Sequence, residues 1–211
     1  MIELSHVSMQ TGAFALRDIC CTIPSGSYAV LMGKTGCGKT SLLEAVCGLR
    51  GIAGGAIKIA GQDVTSWSPA DRGIGYVPQD LALFPTMTVA EHLQFALRIR
   101  GWSRAAIAQR VEQLASELGI EHLLKRSVRR LSGGEAQRTA LGRALSFQPA
   151  VLLLDEPLSA LDDDTRREIS ELLTVIKHSG VTTLHVTHNQ AEAQLLADLR
   201  LQLQEGQMLV Q

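Results

Sequence analysis

At 211 residues the chain has room for one large α/β domain with a substantial core. A net charge of −1 removes the basic footprint that nucleic-acid binders carry, and 4% aromatic residues leave too few rings for a base-stacking platform, so no nucleic-acid partner is expected. The four cysteines, Cys20, Cys21, Cys37 and Cys47, contain no C-x-x-C pair, which argues against a structural zinc site or disulfide framework and for a reducing cytosol.

Strand-like segments open the chain at Ile2–Val7, Arg17–Ile23 and Ser27–Met32. A glycine-rich run, Gly33-Lys34-Thr35-Gly36-Cys37-Gly38-Lys39-Thr40, follows the third strand and leads into a helix over Thr40–Cys47. Strands are expected at Ala56–Ile59 and Ile74–Val77, separated by Gly61 and a turn over Ser66–Pro69. The middle of the chain reads as mostly helical over approximately residues 80–148, with Ile107, Val111, Leu114, Ala115 and Leu118 on one face at helical spacing. The last third alternates: a strand at Val151–Asp155, a helix at Asp163–Ser179, a strand at Thr183–Val186, a short helix at Gln190–Leu196 and a strand around Leu199–Leu203. Alternation of this kind implies an α/β fold with a mainly parallel sheet covered on both faces. No apolar run reaches the roughly 18 residues of a membrane span, and Met1-Ile2-Glu3-Leu4 lacks the layout of a signal peptide. The chain is therefore expected to be soluble, and any work at a membrane needs another subunit to supply the spans.

Gly33–Thr40 fits the P-loop pattern G-x-x-x-x-G-K-[ST] at every fixed position. Glycines let successive backbone N–H groups turn inward to cradle phosphates. Lys39 is suited to reach the β- and γ-phosphates, and the Thr40 hydroxyl to ligate Mg²⁺. Val151-Leu152-Leu153-Leu154-Asp155-Glu156 buries a central strand and delivers two carboxylates at its C-terminal end, where open α/β sheets bind ligands. Asp155 is suited to hold Mg²⁺, and Glu156 to polarise an attacking water as general base. Leu131-Ser132-Gly133-Gly134-Glu135 then sets a good N-cap and two glycines before a helix over Ala136–Leu145, a second anion-suited helix start.

Together these three motifs resemble the ATP-binding cassette (ABC) ATPases, and the resemblance extends over essentially the whole chain. It implies a P-loop NTPase fold: one ABC ATPase domain over 1–211, with an N-terminal antiparallel β subdomain and the helical subdomain inserted. Nucleotide contacts are expected from Gly33, Lys34, Thr35, Gly36, Cys37, Gly38, Lys39, Thr40 and Ser41, and from Ser132, Gly133 and Gly134. Gln79 matches the Q-loop glutamine, which joins Thr40 and Asp155 around Mg²⁺ and contacts the transport subunit. Ser159-Ala160-Leu161-Asp162 matches the D-loop, and His188 the switch histidine that acts with Glu156, Gln79 and Lys39 in hydrolysis. Two positions depart from the family pattern. Glu135 stands where many members carry Gln, and Thr11 stands near the usual adenine-stacking aromatic, so either Phe14 substitutes or stacking is absent.

The resemblance implies a head-to-tail dimer in which Gly33–Thr40 of one copy and Ser132–Gly134 of the other sandwich each ATP. Integral membrane permease subunits and a solute-binding protein are the implied partners, with the chain cytoplasmic and peripheral on the inner face of the cell membrane. Leu83-Phe84-Pro85-Thr86-Met87, shortly after Gln79, resembles importer ATPases, in which this surface receives the permease. The texture is closest to the molybdate/tungstate, sulfate and polyamine importers. Many of those carry a C-terminal regulatory β-domain, and regulation through it is expected to be absent here. A non-transport cassette ATPase and a P-loop small-molecule kinase are the alternatives.

Overall fold

The computed structural model of the chain describes residues 1–11 and 14–210. The elements are β1 (Ile2–Thr11), β2 (Phe14–Ile23), β3 (Tyr28–Met32), α1 (Lys39–Cys47), β4 (Gly54–Ile59), β5 (Gln62–Asp63) and β6 (Ile74–Val77). Then come α2 (Val89–Ile99), α3 (Arg104–Leu118), α4 (Gly133–Leu145), β7 (Val151–Asp155) and α5 (Asp163–His178). The chain closes with β8 (Thr182–Val186), α6 (Gln190–Leu196), β9 (Leu199–Gln204) and β10 (Gln207–Val210). It divides into two compact units: residues 1–76, 150–156 and 173–211, and residues 77–149 and 157–172.

The first unit carries the sheets. β2-β1-β4-β5 form an antiparallel sheet, and β10-β9-β3-β8-β7-β6 a second sheet in which β9, β3, β8 and β7 run parallel. β7 and β8 are buried at all five positions, as strands covered on both faces require. The ends of β3, β7 and β8 therefore carry the glycine run, the two acidic residues and His188 to the same edge of the parallel sheet. Leu42, Leu43 and Val46 of α1 pack in the core with Leu31, Leu153, Val186 and Leu201.

The second unit is helical. Val89, Leu93 and Leu97 of α2, Ile107, Val111, Leu114 and Leu118 of α3, and Ala140, Leu141 and Ala144 of α4 are buried at helical spacing. α2 starts on a reciprocal cap: the Thr88 hydroxyl accepts from the Glu91 N–H, and the Glu91 carboxylate from the Thr88 N–H at 2.7 Å. His92, fully buried, ties the preceding loop down, because its Nε2 accepts from the Phe84 N–H at 2.9 Å while Nδ1 bonds the Thr88 carbonyl at 2.8 Å.

Candidate functional site

Each part of the site follows from local backbone demands. Gly33 has φ +155°, and a Cβ there would stand 2.6 Å from the Leu203 carbonyl oxygen and 2.7 Å from Cys37 Sγ. No other residue fits that approach. Gly38 occupies the N-cap of α1 in the left-handed conformation, with no side chain capping the helix. The first N–H groups of α1 are thus left for an external anion. Lys39 is 95% buried, and its Nζ donates to the carbonyls of Gly33 at 3.0 Å and Lys34 at 3.1 Å. The ammonium is stored inside the loop it serves. Lys34, Thr35, Gly36 and Thr40 are exposed; Cys37, Gly38 and Ser41 are half-buried.

Asp155 ends β7 at 1% exposure. The Thr40 hydroxyl bonds its carboxylate, while Oδ1 has no hydrogen-bond partner. Burial pushes the carboxyl above its ordinary pKa, the Thr40 bond opposes this, and the nearby Glu156 charge adds to it. An orphaned carboxylate oxygen beside a hydroxyl is a hard oxygen donor set, and it fits Mg²⁺. Glu156 turns the chain sharply, with φ +46°, a left-handed conformation that costs a non-glycine residue about 1 kcal/mol or more. Its N–H donates to the Val186 carbonyl at 2.9 Å, and its Oε2 lies 3.4 Å from His188 Nδ1. The strained turn aims one of two consecutive carboxylates at the P-loop threonine and the other at the histidine. A cleft of about 460 Å³ beside them is lined by Gly33, Lys34, His188, Gln190, Arg200 and Gln202, among others.

His188 stands on a buried polar network that sequence reasoning missed. The Thr187 hydroxyl bonds Glu192 Oε2 at 2.6 Å, Glu192 lies 3.7 Å from His185 Nε2, and His185 Nδ1 shares a 2.9 Å hydrogen bond with Tyr28 Oη. Burial lowers His185 to a pKa of about 3, so the ring is neutral. The one available signal was polar residues alternating within an apolar strand, Thr183 and His185, which two-sided burial makes anomalous.

In the second unit Ser132 caps α4, and Glu135 closes a capping box, its Oε2 accepting from the Ser132 N–H at 2.7 Å. Glu135, the departure from the family pattern, thus has a local purpose, and Arg126 pairs with it at 3.2 Å. Gly134 has a packing reason of its own: a Cβ would meet Thr165 Cγ2 at 2.6 Å. Gly133 is exposed. Gln79 is exposed in the loop after β6, and Arg143 fixes the turn that follows, donating to the carbonyls of Leu81, at 2.8 Å, and Ala82. Of the expected residues, the first unit brings together the glycine run, Lys39, Thr40, Asp155, Glu156 and His188. Gln79, Ser132, Gly133 and Gly134 belong to the second unit. Residues 12 and 13 and the side chains of Thr11 and Phe14 lie outside the described residues.

The family model described as ABC transporter matches residues 16–159. The chain belongs to the ABC transporter family. Among curated ABC relatives, the molybdate/tungstate import ATP-binding protein WtpC of Thermococcus kodakarensis is 44% identical over 199 residues, covering 94% of this chain and 60% of that protein. The sn-glycerol-3-phosphate import ATP-binding protein UgpC of Cupriavidus necator is 45% identical over 187 residues, covering 88% and 51%. The chain thus spans about half to three fifths of the length of the curated relatives it matches. The solved structure of the ATP-binding cassette MJ0796, dimeric in a post-hydrolysis state bound to ADP and Pi, superposes with a TM-score of 0.86. It is 26% identical, and the match covers 98% of this chain and 96% of that one. The α/β fold is that of an ABC ATPase cassette. Among the described residues no helix is long and apolar enough to cross a membrane.

Proposed function

We propose that the chain is the ATP-hydrolysing subunit of an ABC importer for a small anion or other small solute, powering a separate membrane permease by ATP-driven closure of a dimer. The observation that carries this is the pair of consecutive carboxylates: Asp155 hydrogen-bonded to the P-loop Thr40, and Glu156 3.4 Å from His188. A phosphate cradle, a cation carboxylate and a base beside a histidine are the parts that phosphoryl transfer to water requires. A small-molecule kinase would account for Gly33–Thr40 and Asp155 but not for Ser132–Gly134, Glu156 and His188 together.

Gly33–Ser41 bind the triphosphate with backbone N–H groups, and Lys39 exchanges its two carbonyl partners for phosphate oxygens. Thr40, Asp155 and Gln79 would hold Mg²⁺, which supplies charge neutralisation on the β- and γ-phosphates. Glu156 orients the attacking water and accepts its proton, and His188 holds the γ-phosphate and that water. Ser132, Gly133 and Gly134 of a second copy complete the site head to tail, so one domain, with its helical insertion, cannot close it alone. Closure follows because the γ-phosphate of ATP contacts both copies, and it is released once that phosphate has left and ADP alone remains. Phe14 is the proposed adenine contact.

Import is supported by the import proteins among the relatives. The proposed permease seat is Leu83, Phe84 and Met87; Phe84 is 40% exposed, its ring packed on His92 and Phe95. A solute-binding protein completes the system, and the chain works at the cytoplasmic face of the membrane through the permease. In the test, Glu156→Gln is expected to bind ATP as the parent does while losing phosphate release at least about 100-fold. Turnover at the parental rate contradicts the assigned base.

A further inference from the structure

The antiparallel sheet of the first unit carries a side-chain cluster that nucleotide chemistry does not use. β1 and β2 pair with irregular register around Val7, and on the exposed face His6, Asp18 and Cys20 converge. His6 Nδ1 lies 2.6 Å from Asp18 Oδ1 and 3.7 Å from Cys20 Sγ, and one ligand atom from each residue lies within 4.8 Å of the others. We propose that His6, Asp18 and Cys20 form a binding site for a divalent transition metal of the zinc class.

Three features favour a metal over a bare surface cluster. First, both close approaches are made by the same ring nitrogen. A nucleophile–histidine–acid relay needs the acid and the thiol on opposite nitrogens, so the geometry is convergent instead. Second, the sulfur–nitrogen separation is near that of tetrahedral coordination. With zinc–sulfur near 2.3 Å and zinc–nitrogen near 2.0–2.1 Å, a tetrahedral S···N edge is about 3.5 Å, against the 3.7 Å present. The Nδ1···Oδ1 pair, drawn in by its hydrogen bond, opens by roughly 0.7 Å to reach its own edge.

Third, the backbone is arranged around the donors. The His6 backbone N–H donates to Cys20 Sγ at 3.2 Å, which fixes the sulfur beside the ring. The Asp18 N–H is held by Ser8 Oγ at 3.1 Å. His6 and Asp18 both sit at left-handed φ, +53° and +57°, within extended strands, and an exposed ion pair is weak compensation for two such positions. The donor set also selects the ion: a thiolate and an imidazole favour zinc, cobalt or copper over Mg²⁺ and Ca²⁺, keeping the site apart from the nucleotide's cation. Three protein ligands leave one tetrahedral position for water. Binding replaces the Cys20 S–H with a metal–sulfur bond and passes that proton to solvent, while the proton that His6 Nδ1 shares with Asp18 moves to Nε2. The absence of a C-x-x-C pair argues against a cysteine-rich structural zinc site but does not reach this one, whose donors are separated by 12 and 2 residues and meet only across β1 and β2.

The test is a Co²⁺ titration of the nucleotide-free full chain in a non-chelating phosphine reductant. One equivalent is expected to raise a thiolate-to-cobalt charge-transfer band, with about one proton released per ion, and Zn²⁺ but not Mg²⁺ should displace it. Cys20→Ser is expected to abolish the band while leaving ATPase activity unchanged. Asp18→Asn, which tolerates the left-handed backbone, is expected to weaken Zn²⁺ binding at least about tenfold. No band, a band that survives Cys20→Ser through Cys37, or Zn²⁺ affinity indifferent to Asp18→Asn overturns the assignment.

Discussion

Replacing Asp155 with Asn separates stability from function. Asp155 is 1% exposed, has an oxygen without a hydrogen-bond partner, and faces the like charges of Glu156 and Glu44, which the Lys39 ammonium only partly offsets. The amide keeps an acceptor for the Thr40 hydroxyl and removes the buried charge. The amide NH2 is no better partnered than the oxygen it replaces, so the gain is relief of the buried charge, and Asp155→Asn is expected to stabilise the nucleotide- and metal-free protein by about 1–3 kcal/mol. At about 2–4 °C per kcal/mol for a chain of this size, Tm rises by roughly 2–12 °C. The sign is checked by pH. A carboxyl raised above 3.8 by the fold withdraws stability as pH climbs through its folded pKa, so the variant's advantage is greatest near neutrality and shrinks towards pH 4. Calorimetry with chelator measures this. With Mg²⁺ and ATP the order reverses: the parent gains stability and turns over, while the variant loses turnover at least about 100-fold. An unchanged or lower Tm for the metal-free variant refutes the reading of Asp155 as an unsatisfied cation ligand.

Other expectations follow from the same contacts. His185, ordinarily near 6.5 and lowered to about 3, binds a proton on unfolding, so it should withdraw about 2 kcal/mol of stability between pH 7 and pH 5; in urea unfolding His185→Gln should lack that loss, and an identical pH slope contradicts it. Gly134→Ala should cost about 1–3 kcal/mol through overlap with Thr165, largely recovered by adding Thr165→Ser, as thermal melts would record. Arg72, 6% exposed, donates to the carbonyls of Ala45, Val46, Thr65 and Trp67. Arg72→Ala should cost about 3 kcal/mol or more by orphaning carbonyls at the end of α1; a loss below about 1 kcal/mol counts against that.

Chemistry-bearing runs were readable where their geometry is local. The glycine run, the apolar strand ending in Asp155-Glu156 and the Ser132 cap each depend on residues within a few positions, so spacing alone located them. Strand limits were less legible. β1 runs on to Thr11 and β2 begins at Phe14 because register shifts around Val7 break the alternation that marks a strand. The β9–β10 hairpin was half missed, since β10 is only four residues long. The left-handed turn at Glu156 and the His6–Asp18–Cys20 cluster had no sequence signature, and the Tyr28–His185–Glu192–Thr187 network showed only as polar Thr183 and His185 within an apolar strand. Each unites residues through strand pairing or turns that periodicity cannot see.

The proposed function of this cassette turns on two copies sharing each nucleotide. Light scattering on the Glu156→Gln variant with Mg²⁺ and ATP measures this directly. ATP should convert it from monomer to dimer, ADP should not, and Ser132→Arg should abolish the shift while sparing ATP binding. A variant that holds ATP yet stays monomeric, alone and with its permease, contradicts the shared site.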